Sequence, residues 1–466
     1  MAEEFINTVL LSRLQFAYTA LFHILWPVLI VGLSIFLVIL EVLWLKTKDV
    51  TWYHHSRFWT KLLLLNIAIG VVTGMPMEFQ FGTNWSRFSR AGGDIFGHLL
   101  GFEATIAFML EASFLSIMIF GRHRVSRGMY LVSTIMVAFG ASLSVFWIMD
   151  ANAWMQTPAG GYFDGHRFRV VSNWEAIFNP NMVWAVLHKE TACLMITIFV
   201  VGGISAWYLR KGRHVAFFLK SFKMAAAAAI LIIPLQIYLG DGSGRNVFEH
   251  QPTKLAGMEA HWNTNPPGEG APWHVVAWPD PDRQKNLFEI NIPYGLSVIT
   301  TRELKGTVPG LKDFPRDLQP PIWLPFYGFR IMIAVGFGSF FLMLYTLRAW
   351  FKGRLTAERI GLQRKLLLAW ILAIPFNYLA LEAGWVTREV GRQPWVIYNI
   401  LQTGTGVSPV TGPMVGTSLI VFLVIYTLLF DLFLFFGWYT IRKGPSFDPP
   451  PKRKKVPAHR KKPRKT

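Results

Sequence analysis

Apolar residues run almost unbroken through Phe16–Leu45, Leu62–Phe79, Ile95–Phe120, Met129–Asp150, Met182–Tyr208, Met224–Leu239, Phe326–Leu347, Leu366–Val386 and Gly412–Tyr439. Each stretch approaches the roughly 20 residues that carry a helix across the hydrocarbon core of a bilayer. The pattern predicts an all-α integral membrane protein with about nine transmembrane helices. One connection, from about Gly240 to Pro325, is far longer than the others and rich in Pro, Gly, Trp and charge. A loop that long is functional or disordered. The predicted organisation is transmembrane helices over 1–240, an outer segment over 241–325, further helices over 326–440 and a basic tail over 441–466.

Composition agrees with the pattern. Of 466 residues, 52% are hydrophobic and only 16% charged, which is too apolar for an ordinary soluble protein of this size. The N-terminal MAEEFINTVLLSR is acidic at its start and interrupted by Arg13, so no cleavable signal peptide is expected and the first span should persist. The lone Cys193 leaves no internal disulfide and no CxxC metal site, and packing is its expected role.

The formal net charge of +19 would suit a nucleic-acid binder, but its distribution says otherwise. The cations gather in alternate connections: Lys46, Lys48, Arg57 and Lys61; Arg122, Arg124 and Arg127; Arg210 to Lys223; Arg348 to Lys365. The positive-inside rule makes those faces cytoplasmic, with the N-terminus outside and the C-terminus inside, as an odd number of spans requires. The tail PPKRKKVPAHRKKPRKT is read as a contact for anionic lipid or a solvated segment, and no nucleic acid is expected as a partner.

Ionisable groups inside spans are costly, so each is a functional candidate, with snorkelling or pairing as the plain alternative. His23, Glu103, Glu111, His188 and Glu389 are of this kind, and Arg330 and Met332 open the seventh span. At about 1.5 Å per residue, His23, His188, Met332, Glu389, Glu103 and outward-running Ser144 fall in one outer layer, with Glu111 about two turns deeper. A neutral imidazole with a thioether is a soft axial set for a six-coordinate electron-transfer haem, whereas a lone His or Glu leaves a position open for dioxygen. Taken singly, a span histidine or methionine is more often packing; the shared depth argues for more. Glu103 and Glu111 project about 80° apart on their helix, which suits either a proton relay or two hydrogen-bonded acids.

Two further stretches stand out. In GWVTREVGRQPW, Trp385, Glu389 and Arg392 stand at i, i+4 and i+7 and should share a helix face unlike a lipid-facing one. In QPTKLAGMEAHW, Lys254 and Glu259 could serve as hydrogen-bond donor and proton acceptor for a dihydroxy ring, with a solvated turn and helix as the plain alternative.

The segments SRLQFAYTALFH, MEFQFGTNW, GDIFG followed by Glu103 and Glu111, ANAWMQTP, GISAWYLRKGR, TKLAGMEAHW, FRIM and GWVTREVGRQPW, in this order, resemble subunit I of cytochrome bd-type quinol oxidases. The resemblance extends to about Gly437. It implies a multi-pass enzyme of the bacterial cytoplasmic (inner) membrane that oxidises quinol at the outer face and reduces dioxygen to water. Cytoplasmic protons would be consumed, so a membrane potential would build without pumping. It further implies one low-spin haem b held by His188 and Met332, and two high-spin haems, one ligated by His23 and the other by Glu389. These would be haem b plus haem d, or haem b in place of haem d. Glu103, Glu111 and Ser144 match positions tied to dioxygen reduction and its proton supply, and Lys254 and Glu259 match positions implicated in quinol oxidation. Arg330 and Arg392 match arginines beside the haems, and Trp385 would wall a high-spin pocket with Glu389.

The same resemblance makes 241–325 a periplasmic quinol-binding loop and implies a partner subunit II and a small single-span accessory subunit. The compact stretch between TKLAGMEAHW and FRIM resembles the short-loop branch that includes cyanide-insensitive oxidases, and the tail beyond Lys452 has no counterpart in the pattern. Two rival functions are a proton-coupled transporter, which would also bury carboxylates in broken spans, and a haem subunit that only relays electrons. Arg392 could pair with a haem propionate or with Glu389 itself.

Overall fold

A computed structural model describes residues 2–450, so the basic tail from Pro451 onward lies outside the described residues. Among them, nine helical segments are long and apolar enough to cross a membrane. They follow the nine apolar runs and extend beyond most of them, because a helix keeps its hydrogen bonds well past the last apolar residue. The small hairpins are peripheral, and no closed sheet forms among the described residues.

The first span, Asn7–Thr47, is broken: one helix ends at Ile24 and the next begins at Pro27. Proline brings no backbone N–H, so it interrupts a helix from within but suits a first turn. His23 therefore sits in the last turn before a break. The third span, Gly93–Phe120, carries a π-helical stretch over Glu103–Phe108. The sixth span, Val215–His250, outruns the expected Met224–Leu239, since the polar run DGSGRNVFEH remains helical. The long connection consequently starts at Gln251 and not near Gly240.

The fifth, sixth, seventh and eighth spans form a four-membered ring in which the fifth (Met182–Arg210) and the seventh (Trp323–Phe351) each pack on the sixth and on the eighth (Arg364–Val390). Small residues let backbones approach, as in other membrane bundles. Gly32 lies against the Cys193 carbonyl and Thr197, and Gly202 and Gly203 lie against Trp370 and Ile374. Cys193 is fully buried in this apolar core, as packing requires.

Two ends can be told apart. At one, Lys220 reaches Asp49 at 3.3 Å and Arg57 reaches Asp448 at 3.3 Å, which gathers basic connections and the end of the ninth span together. Arg122 at this end is more than a topology marker. It donates to buried Glu41 at 2.8 Å and to Tyr130 at 2.8 Å, and lies over the Tyr53 and Tyr130 rings.

The opposite end is capped by residues 251–322, which are folded: a helix Pro252–Met258, a hairpin of Trp273–Asp280 with Lys285–Ile292, and a helix Gly295–Thr301. Ala256, Trp262, Ala277 and Leu311 bury against Ile322 and Phe326, fastening the cap to the seventh span.

Candidate functional site

The eighth span ends at Val390 with Gly391 as its C-cap, so Arg392 lies in a turn just past the helix and reaches back. Its guanidinium donates to Glu389 Oε2 at 2.5 Å, one of the two partners that sequence left open. Glu389 Oε1 accepts from Asn152 at 2.9 Å and from Gln156 at 3.3 Å, both at the end of the fourth span, Arg127–Gln156. Arg388 donates to Asn152 at 2.6 Å and to Asn181 at 2.7 Å. Arg392 is buried, yet its Nε and second terminal nitrogen have no partner. A buried guanidinium with unused donors is suited to a further anionic group such as a carboxylate. The Trp385 ring lies 5.2 Å from Lys189 Nζ on the fifth span, and Arg392 stands past the helix end, so of the expected face of three only Trp385 and Glu389 are on the helix itself.

Lys254 joins this cluster from the cap. Its ammonium donates to Gln156 Oε1 at 2.9 Å and to Gln251 Oε1 at 3.2 Å, and only 3% of the residue is exposed. Burial, with Arg388 and Arg392 adding to it, holds its pKa well below the usual lysine value. Beside Lys254 and Arg392 opens a cavity of about 300 Å³ whose wall includes His250, Thr253, Pro315 and Tyr398.

Glu259 does not line that cavity. It is 3% exposed and accepts from Arg330 at 2.7 Å, while Arg330 also donates to the His274 carbonyl at 2.7 Å. Burial raises the Glu259 pKa, and Arg330 opposes that rise. The Arg330 guanidinium lies 4.5 Å from the Phe326 ring centroid and keeps one terminal nitrogen buried without a partner. Lys254 and Glu259, expected as a donor and an acceptor, thus have different partners, and neither residue is solvated.

The three residues expected to hold haem iron with His or Met side chains share a feature. Each is faced by a helical glycine: a Cβ on Gly74 would come 3.0 Å from His23, one on Gly240 would come 3.3 Å from His188, and one on Gly384 would come 3.0 Å from Met332 Sδ. Thr73 gives its hydroxyl proton to the Ile69 carbonyl at 2.9 Å, so its oxygen accepts from His23 Nδ1 at 3.0 Å. That fixes the proton on Nδ1 and leaves the Nε2 lone pair for a metal, the usual outer-shell arrangement of a ligating histidine. His188 Nε2 lies 3.3 Å from Gln236, while its Nδ1 is buried with no partner. Such an atom costs about 1–3 kcal/mol if nothing meets it. His188 and Met332 sit on the fifth and seventh spans, both members of the four-span ring. Bundles of this kind place cofactor ligands on facing helices. The donor set and the glycine cradles fit haem.

Glu103 opens the π-helical stretch and accepts from Ser144 of the fourth span at 2.6 Å, while its other oxygen is buried without a partner. π-Turns concentrate at functional sites. The wider turn also changes the helical phase, so the 80° separation expected from regular geometry does not apply. Glu111 lies half-buried against Gly140, where a Cβ would come 3.4 Å from its own.

Sequence reasoning assigned no role to Asn152, Gln156, Asn181, Arg388 or Gln251. Asn152 and Gln156 stand four apart at the end of an apolar span, inside ANAWMQTP, and that pairing was the available signal.

The sequence profile described as cytochrome bd terminal oxidase subunit I matches residues 11–445. The chain is 35% identical to the cytochrome bd-II ubiquinol oxidase subunit 1 of Escherichia coli, over 94% of this chain and 96% of that one. It is 35% identical to the cytochrome bd ubiquinol oxidase subunit 1 of Bacillus subtilis, over 95% of each chain. Its fold superposes on the bd oxidase of Geobacillus thermodenitrificans with a TM-score of 0.86 at 29% identity, covering 94% of this chain and 99% of the other.

Proposed function

The chain belongs to the cytochrome bd terminal oxidase subunit I family, and on that footing we propose that it oxidises quinol at the capped, outer end of the membrane and directs the electrons to dioxygen. It is a multi-pass protein of the bacterial inner membrane with a terminal quinol-oxidase role, and membership of a first-subunit family implies a complex with a second subunit. In the proposed orientation the N-terminus is outside and the basic end cytoplasmic.

Haems, when bound, supply the iron centres that take electrons singly and reduce dioxygen to water. His188 and Met332 would hold the low-spin haem b, and His23 and Glu389 the two high-spin haems, haem b with haem d or haem b in its place. Arg330 and Arg392, each with buried unused donors, would anchor propionates. Trp385 would wall the pocket near Glu389. Lys254 presents an ammonium to a quinol oxygen, and Glu259 acts through Arg330, two residues before Met332. Glu103, Ser144 and Glu111 would hold and pass protons drawn from the cytoplasm, so that charge separates across the membrane without pumping. A small accessory subunit would complete the complex.

The observation that carries this reading is the convergence of buried Lys254, Gln156 and Arg392 with half-buried Glu389 beside one cavity. The purified complex should show low-spin and high-spin haem bands in a dithionite-reduced optical spectrum and should take up dioxygen when given quinol. Absence of haem bands would sink the proposal, and haem bands without dioxygen uptake would leave only an electron relay.

A further inference from the structure

We propose that His250 is the base that receives the hydroxyl proton of quinol bound in the cavity beside Lys254. This rests on the reading of that cavity as the quinol site. His250 closes the sixth span, immediately before the Gln251–Pro252 step into the helix that carries Lys254, and its ring lines the cavity with Thr253, Pro315, Arg392 and Tyr398. A cavity of about 300 Å³ lies at the lower end of the sizes that hold ring-sized ligands.

The orientation of the ring follows from its neighbours. Asn246 accepts from Asn181 at 2.6 Å through Oδ1 and donates to the Pro180 carbonyl at 3.0 Å through Nδ2, so its amide is fixed. His250 Nδ1 lies 3.1 Å from the Asn246 backbone carbonyl, an oxygen that can only accept, and 3.3 Å from the Asn246 amide nitrogen. The shorter contact puts the proton on Nδ1 and the lone pair on Nε2. No described residue bonds to Nε2. Asn181 is also held by Arg388 at 2.7 Å, so the network that seats Glu389 positions this imidazole too.

The other polar groups on the cavity wall are poorer proton acceptors. Arg392 is a permanent cation with no lone pair to give. Lys254 has already committed donors to two amide oxygens, and it stands between Arg388 and Arg392. The Tyr398 hydroxyl keeps its own proton near neutral pH, because burial raises its pKa, and so offers no phenolate to accept another. Glu259 is engaged with Arg330 and is not on this wall. An imidazole with a free ring nitrogen facing the cavity region is the wall group with a lone pair to give.

The balance is simple. Haem, when bound, would take the two electrons one at a time, and with each of them one hydroxyl proton passes to His250 Nε2. His250, half-exposed, returns that proton to water at this end before the second step. Quinol becomes quinone with two electrons and two protons accounted for.

The test uses the full oxidase complex in three forms: unaltered, His250→Asn, and Thr253→Trp, which fills the cavity. Each is assayed for quinol oxidation, for oxidation of a ferrocene-type donor that carries no proton, and by optical spectrum. His250→Asn should lower quinol kcat about a hundredfold and abolish any fall in rate on the acid side, with the haem spectrum and ferrocene oxidation intact. His250→Gln should behave alike. If Thr253→Trp abolishes quinol oxidation while His250→Asn keeps both the rate and the acid limb, the cavity binds quinol and His250 is not its base, which overturns this inference alone. If Thr253→Trp is also silent, quinol binds elsewhere and the reading of the cavity fails with it.

Discussion

Lys254 and Glu259 lie five residues apart on and just after one short helix, yet they serve different neighbourhoods. Lys254 turns to the fourth and eighth spans, where Gln156, Glu389, Arg388 and Arg392 form a network beside a cavity. Glu259 turns to the seventh span and the hairpin, where its contacts are Arg330 and the chain around His274. The first neighbourhood has more cations than carboxylates and open space. The second is a buried ion pair packed against aromatic rings. One short stretch therefore divides an open, cation-rich network from a packed ion pair, and four measurements would break or sharpen that division.

The largest effect is expected at the heart of the first side. Glu389→Ala would leave Arg392 without its carboxylate and remove the acceptor shared by Asn152 and Gln156. Breaking a buried pair costs about 3 kcal/mol at the low end of the usual range, which suits a side chain that is one-third exposed. A lower apparent Tm of the complex and loss of a high-spin band should appear together; intact high-spin bands would make Glu389 structural only. Next, on the second side, Met332→Leu keeps approximate volume and removes the sulfur, with a stability change below about 1.5 kcal/mol. The low-spin spectrum should be lost in an assembled complex, and an unchanged spectrum would refute the ligand assignment.

A matched pair then compares the two sides directly. Lys254→Met removes a charge-assisted donor, about 1.4 kcal/mol, so the KM for quinol should rise about tenfold with the low-spin spectrum unaltered. Glu259→Gln should do the reverse, shifting the low-spin haem potential and leaving KM within about twofold, since its partner is Arg330. The opposite pattern would dissolve the division.

The smallest effect is in pH dependence. An unfolded lysine holds its proton to about pH 10.4, whereas folded Lys254 releases it at lower pH because of burial. Between those values the unfolded chain binds one more proton, so stability gains from this group as pH rises through that window. Lys254→Met should lack that gain, measured as Tm against pH; identical profiles would mean that Lys254 keeps an ordinary affinity for protons.

The nine spans were legible because a bilayer demands long apolar runs, and nothing else in the chain imitates them. Glu389 with Arg392 was legible because helical spacing already placed them together. The break before Pro27 and the π-turn at Glu103 were not, since neither disturbs hydropathy. The split between Lys254 and Glu259 was hidden for another reason. Two residues five apart in one short stretch read as neighbours, and only Gln156 and Arg330, 98 and 71 positions away, pull them to different sides. Polar amides such as Asn152 and Asn181 carry no charge to attract attention, though they hold the arginines in place.

The glycines opposite His23, His188 and Met332 bear on how closely those side chains are held. Each weakens its helix by about 0.5–1 kcal/mol relative to alanine, a loss a bilayer makes tolerable by holding the helix in place. The space of each omitted side chain is taken by the imidazole or thioether it faces, so a methyl group added there would press first on that ring or sulfur.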